Sequence, residues 1–487
     1  MTAHAIETDY LIIGSGAAGL AFADTLLTES EADMVIVDRL GRPGGHWNHA
    51  YSYVTLHQPS AFYGVNSMEL GSGRRDAVGL NRGLHELASG AEVSGYFERL
   101  MHQRLLASGR VRYFPLSDAR DDGSFDSLLT GARTEVRVRR RVVNAHRISP
   151  AVPATHTPRF EVAPGTWLLR PHELPDLWLR RGGAAGSADT RPAPPSRFVV
   201  IGGGKTAMDT CLWLMNAGAA PDAITWVVPR DSWLMNRVHT QNGPDFFHEA
   251  IGGQADFLAA CAAAQSADDL FLRLEQAGVM LRIHRDVWPT MFHFATVSPA
   301  EVEALRQVRD VVRHGHVRSL RPDRMRLDGG ERALPAGTLC IDCTASAVGN
   351  DARHALGSPE PVFQPGRIVL QMLRMPLISF SAALTAHVET HTVDDEARNR
   401  LCRPVPFPYT LADYPRTVLA NMMNQHQWNQ DPALREWIRG SRLDAYGRLM
   451  ASVRRDDAER QAVLARLKEQ AMAAAANLPR LVAASAR

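Results

Sequence analysis

The chain opens on an apolar run inside TDYLIIGSG, continues through a helix-period stretch, AAGLAFADTLLTES, and meets a second apolar run in ADMVIVDR. Short runs rich in Val and Ile, bounded by glycine or acid, read as buried strands, and the spacing between them reads as a helix. The pattern predicts a βαβ unit. The same order returns in mid-chain, where SRFVVIGGGKTAMDTCLWLMNAG leads into AITWVVPR. Between the two, GGAAGSADTRPAPPS, at about 182–196, has no apolar period and reads as a linker.

Residues from about 236 to 316 carry more helix formers and histidine, so they read as an insertion in the second unit. HVRSLRPDRMRLDGGERALPAG predicts a hairpin turning at Gly329 and Gly330, and the run Thr338 to Asp342 predicts an apolar strand. Beyond residue 430 the pattern is helical, with an Ala-rich tail over 445–476 expected to pack on the surface. The expectation is an α/β protein with two Rossmann-like dinucleotide-binding domains, the second set into the first. Residues 1–185 would begin the first domain, 196–335 form the second, 336–430 return to the first, and 431–487 form a helical extension.

Composition narrows the function classes. The chain has 487 residues, with 54 Lys plus Arg against 52 Asp plus Glu. So even a balance supplies no field for a polyphosphate or an anionic surface, and neither nucleic acid nor membrane is an expected partner. The run Arg139, Arg140, Arg141 lies in the alternating stretch VRVRRRVV and reads as a solvated strand face. Five scattered cysteines do not look like a disulfide framework, no apolar run approaches a membrane span, and the start has no signal-peptide pattern. A cytoplasmic protein is expected, and a homo-oligomer is compatible with all of this.

In GSGAAG, Gly14, Gly16 and Gly19 occupy the three positions of the dinucleotide fingerprint, with Ala18 between them. The first lets the chain turn tightly, the second lets a pyrophosphate approach, and the third packs helix on strand. Asp38, followed by Arg39, ends the next strand 24 residues after Gly14, where an acid accepts hydrogen bonds from an adenosine ribose. The second turn, GGGKTA, has Gly202 and Gly204, with Lys205 and Thr206 opening the helix and Ala207 at the third position. Its following strand ends in Pro229 and Arg230 in place of an acid, which suits a 2′-phosphate and favours NADPH over NADH. Lys205 either reaches a phosphate or sits solvated on the first helical turn.

Two such turns in one chain resemble the two-dinucleotide-binding-domain flavoproteins, in which the first site holds FAD and the second NAD(P)H. The resemblance runs to about residue 390, and Gly44, Gly45, His46 and Trp47 look like the segment that follows the ribose acid in flavin-containing and Baeyer–Villiger-type monooxygenases. It implies cofactor contacts from Gly45, His46 and Trp47, and from Thr344 and Ala345. Three departures stand: the alanine-threonine-glycine element reads Thr344, Ala345, Ser346, no Gly-Asp signature follows, and the interdomain motif is misspaced at Gly165 and His172. Gly366 to Gln371 and Phe380 to Leu384 are the candidates to fill the missing signature's place.

The implied activity is NADPH-dependent oxygenation of a small molecule by dioxygen through a flavin hydroperoxide, with N-hydroxylation of an amine or amino acid as the first substrate class. The alternative is a flavoprotein reductase that inserts no oxygen, and a third reading is a nucleotide-binding regulator without turnover. His57, Gln58 and Ser60, polar groups in LHQPSAFYGV, are candidate catalytic or substrate contacts; hydrogen bonding to backbone or FAD serves equally well. Trp233, Asn236, Arg237 and Gln241 in the insertion are candidate substrate contacts. Cys340 and Cys343 have CxxC spacing, but residues three apart on a strand face opposite sides, which argues against a dithiol centre. No metal is expected, since neither His239 with His248 nor His314 with His316 has ligand spacing.

Overall fold

The computed structural model describes residues 4–120, 122–148, 151–179, 195–345, 360–444 and 446–485. Residues 182–194 of the expected linker lie outside them, as does Ser346. Strand β1 (His4–Ile13) leads through Gly14 into helix α1 (Ala17–Glu29) and strand β2 (Met34–Val37). Strands β3 (Val111–Phe114) and β4 (Arg133–Asn144) complete the centre of this sheet, with β1 paired in parallel to β2 and β4, and β2 to β3. The period-two pattern is visible in the packing: Leu11, Val35 and Val37 meet Phe125 on one side, while Ile12, Met34 and Ile36 join the main core on the other.

The second sheet starts with β5 (Arg197–Ile201), helix α2 (Lys205–Asn216) and β6 (Ile224–Val227). The chain then leaves through Ser232–Asn236 into a segment that contains helix α3 (Gly253–Ala263). It returns at β7 (Asp310–Val312) and β8 (Thr338–Asp342), giving the parallel order β7–β6–β5–β8.

Two expected boundaries move. The insertion ends before residue 316, because β7 already pairs with β6. Strand β8, expected to begin the return to the first sheet, belongs to the second. All five of its residues are buried, and such a strand needs a neighbour on each edge; β5 and the short strand Leu168–Leu169 supply them. The return is made instead by β9 (Arg367–Val369), which pairs with β4. The hairpin forms from Val317–Arg321, Arg324–Leu327 and Gly330–Ala333.

Helix α4 (Ile378–His391) packs along α1, and helices α5 (Tyr414–Gln430), α6 (Pro432–Gly440) and α7 (Ala458–Ser485) follow. The tail helix docks on the insertion. Ala474, Leu478 and Leu481 of α7 share a core with Trp233, Leu258, Phe271 and Tyr414. Asn477 donates to the carbonyls of Cys261 and Ala264 at 2.9 and 2.8 Å, satisfying groups that the end of α3 leaves without intrahelical partners.

The arginine run is engaged within the fold. Arg139 pairs with Asp9 and Asp33 on the surface, while Arg141 is largely buried against Glu389 and Asp395. Cys340 and Cys343 lie in different core clusters. Burial pushes the Cys340 thiol up to about 12 and Cys343 higher still, so neither is a ready thiolate. Leu478 is fully buried, and Leu478→Ala is expected to cost roughly 2–5 kcal/mol. Hydrogen exchange should show the loss as faster exchange in α7 and α3, with β1 and β5 unchanged.

Candidate active site

The first glycine turn is held by contacts that admit no side chain. Gly14 has φ +107°, and its N–H donates to the Val37 carbonyl at 2.9 Å. A Cβ on Gly19 would stand 2.0 Å from the Gly14 carbonyl oxygen, and one on Gly45 would stand 3.1 Å from the Gly16 Cα. Helix α1 begins beside Ala18 without a side-chain cap, so first-turn amides remain available to a diphosphate. Asp38 accepts from the Ser15 amide and hydroxyl at 2.6 and 2.7 Å and from the Leu40 amide at 2.8 Å. A carboxylate offers about four acceptor positions, so one is left for a ribose hydroxyl. The turn fits a dinucleotide. Arg39, next to Asp38, is exposed and pairs with Asp118 at 3.3 Å.

The second turn is equally constrained. Gly202 has φ +132°, a Cβ there would lie 2.8 Å from the Cys343 carbonyl oxygen, and one on Gly203 would lie 2.8 Å from that of Arg230. Gly204 has open space around it and precedes α2, which also lacks a side-chain cap. Thr344 donates its hydroxyl to Asp342 at 2.6 Å and lies 3.1 Å from the His156 ring. Gly202 to Thr206, Arg230, Thr344 and Ala345 all line one cavity of about 2020 Å³. A second dinucleotide fits there, with the exposed Arg230 at its rim.

The same cavity reaches His46, Trp47, His57 and Gln58 of the first domain and the segment Met375 to Ile378 at the start of α4. Neither candidate for the place of the Gly-Asp signature, Gly366 to Gln371 or Phe380 to Leu384, lines the cavity; the residues between them, Met375 to Ile378, do. Trp47 donates to the Tyr63 hydroxyl at 2.7 Å. Burial lowers His46 to about 4; burial, reinforced by the charges of Lys205 and Arg237, lowers His57 to about 3. Both imidazoles are therefore neutral near pH 7. Of the two readings of Ser60, its bonds fit the backbone one. It is buried, its hydroxyl donates to the Glu86 carbonyl at 2.9 Å, and it accepts from the Ala88 amide at 2.7 Å, so its bonding is satisfied by backbone.

Lys205 is neither solvated nor free for a phosphate. It is ion-paired to Asp209 one turn along α2 and lies 3.6 Å from Glu301, which in turn meets Arg237 at 2.6 Å. Arg237 is fully buried and donates to the His57 carbonyl at 2.7 Å, to Asn81 at 3.1 Å and to the Thr296 carbonyl at 3.2 Å. Tyr51 donates to Asp209 at 2.8 Å, and Tyr53 lies 3.0 Å from Thr210. The cluster thus joins segment 51–58 of the first domain to α2 of the second.

Of the insertion candidates, Asn236 lines the cavity and the other three do not. Trp233 is core, Asn236 caps the following turn, Arg237 holds the cluster, and Gln241 accepts from the His85 amide at 2.8 Å. Asp209, Glu301 and Tyr51 went unnoticed in the sequence because they share no short motif; only Lys205 and Asp209, four apart on a helix, are a readable pair.

Burial works to raise the Glu301 carboxyl, but Lys205 and Arg237 bring it down to about 2. Its contribution is complete above its unfolded value near 4.5 and is lost as pH falls towards 2. Glu301→Gln leaves buried positive charge unpaired and should cost roughly 3–5 kcal/mol at pH 7. Urea unfolding checks this, with the gap between variant and wild type narrowing as pH drops below 4.5; a cost below about 1 kcal/mol, that of a surface ion pair, would count against the assignment.

The comparisons agree with this architecture. Residues 12–73 match the model of the NAD(P)-binding Rossmann-like domain. Uncharacterized proteins of Mycobacterium tuberculosis (strain H37Rv) and Mycobacterium bovis are 43% identical over 483 residues, covering 99% of this chain and 86% of theirs. Among solved structures, the polycyclic ketone monooxygenase of Thermothelomyces thermophila superposes with a TM-score of 0.51 at 12% identity, over 100% of this chain and 89% of that one. A bacillithiol disulfide reductase from Bacillus cereus gives a TM-score of 0.45 at 12% identity, over 79% of this chain and 99% of its own. The chain belongs to the family of the mycobacterial proteins, and its fold is that of the two-dinucleotide-binding-domain flavoproteins.

Proposed function

We propose that this chain is an NADPH-dependent FAD monooxygenase acting on a bulky, largely apolar small molecule. One observation carries the reading: a single cavity runs from the second glycine turn past His57 and Gln58 to the start of α4. FAD fits the first turn, through Gly14, Gly16, Gly19 and Asp38. NADPH fits the second, through Gly202, Gly204, Thr206 and Arg230. Bound together, the two cofactors supply hydride transfer and dioxygen activation, while the protein positions them and excludes water. His57 and Gln58, neutral polar groups on the wall, can hold a substrate or dioxygen-derived oxygen by hydrogen bonds without supplying charge.

The substrate class follows from the far wall. Phe257, Tyr414, Met422, Leu467 and Met472 come from α3, α5 and α7, and methionine and aromatic side chains adapt to large apolar ligands. This favours an apolar amine, thioether or ketone over a free amino acid, the substrate first considered for N-hydroxylation. Five cysteines, all buried and unpaired, fit a reducing cytoplasm and belong to the same proposal.

With ¹⁸O₂ and a panel of apolar amines, thioethers and ketones, one labelled oxygen should enter the product while NADPH is consumed. Oxidation of NADPH with no label in any product would favour the reductase alternative. Arg230→Ala should weaken NADPH about 10–100-fold while leaving NADH nearly unchanged, the loss of a charge-assisted contact to the 2′-phosphate. Equal losses for both nucleotides, read from steady-state KM, would remove Arg230 from that role.

A further inference from the structure

The outer end of α1 carries a second constellation, remote from both glycine turns. Glu29 closes α1, and His387 and His391, four apart on α4, face it. The Nδ1 atoms of His387 and His391 stand 2.7 and 3.5 Å from the same Glu29 Oε2, and the two rings lie 4.3 Å apart, tilted by 30°. Trp437 of α6 donates its indole N–H to the other carboxylate oxygen at 2.6 Å and stacks on His387 at 4.4 Å. Ligand atoms from all three residues lie within 4.8 Å of one another.

We propose that Glu29, His387 and His391 bind one divalent transition-metal ion, which clamps α1 to α4 beside α6. His387 Nδ1 is within hydrogen-bond reach of Glu29 Oε2, whereas His391 Nδ1 stands 3.5 Å from that oxygen and 3.0 Å from the His387 carbonyl; with the His391 ring turned from that carbonyl, a cation would take both nitrogens and the carboxylate at once. Two nitrogens and one carboxylate form the ligand set of an open site, completed by water, that suits Zn²⁺, Co²⁺ or Ni²⁺. A single carboxylate is a poor set for Ca²⁺ or Mg²⁺, which require many oxygens. The Trp437 N–H fixes the carboxylate from behind, as outer partners of metal ligands do. Access is open on one side, since His391 is 53% exposed while His387 and Glu29 are 12% and 18% exposed. Ligation requires His391 to release the His387 carbonyl, 3.0 Å from its Nδ1.

Helix α1 rises about 1.5 Å per residue, so its 13 residues separate this site from the first glycine turn by about 20 Å. Its role is therefore anchoring the helix that carries the dinucleotide turn, not chemistry on the substrate. The expectation that no metal binds arose from other histidine pairs; the helical spacing of His387 and His391 within HVETH was the overlooked signal.

Titration of the full chain with Co²⁺ tests the proposal without reference to turnover. The expected result is one ion per chain with a visible ligand-field band, displaced by Zn²⁺, and a raised Tm in the presence of either ion. His391→Ala, at a half-exposed position, should fold normally and lose the band and the Tm shift. Trp437→Phe should retain the site with affinity lowered about 10–100-fold. Binding that is equal in wild type and His391→Ala, or no band and no Tm shift in wild type, would overturn the site and leave a carboxylate–imidazole pair.

Discussion

Four charged side chains buried at the seam between two sheets set the geometry of the molecule. Lys205, Asp209, Glu301 and Arg237 carry two positive and two negative charges; Arg237 and Glu301 are buried and Lys205 and Asp209 largely so. Such a cluster is a weak source of net stability, because each charge gives up hydration to enter it. Its effect is on arrangement: once three members are buried, the fourth has one favourable position. Arg237 also grips the His57 carbonyl, and Tyr51 reaches Asp209, so the strip that lines the cavity in the first domain is registered against the helix that opens the second nucleotide site.

Around that seam, the two glycine turns follow the same physical rule by different means. Backbone carbonyls stand where side chains would be, at Gly19 in the first turn and at Gly202 and Gly203 in the second. The amides at the starts of α1 and α2 then face outward without side-chain caps, as an anion requires. The helical parts of the chain perform a separate task. The insertion and the C-terminal helix meet in one core and supply apolar lining to the cavity that the second glycine turn also lines.

Much of this was legible in the residue pattern because it is local. Both βαβ openings, the glycine positions, the acid at residue 38 and the opposite-facing cysteines depend on spacings of a few residues. The features that were not legible depend on distant partners. Strand β8 was assigned to the wrong sheet because a buried apolar strand carries no mark of its neighbours, only of the need for them. The two readings of Ser60 could not be separated in the sequence because its partners, Glu86 and Ala88, lie 26 and 28 residues away. Lys205 could be read as a phosphate contact or a solvated side chain for the same reason: Asp209 is one turn away and visible, but Glu301 is not.

The proposed function requires FAD at the first glycine turn and NADPH at the second to lie close enough to exchange a hydride, with the charged cluster holding their domains in register. Anaerobic mixing of the FAD-loaded protein with NADPH, followed at the flavin absorbance in a stopped-flow instrument, tests it most directly. The account predicts bleaching whose rate saturates with NADPH concentration. A protein that holds FAD and binds NADPH yet shows no bleaching would contradict it.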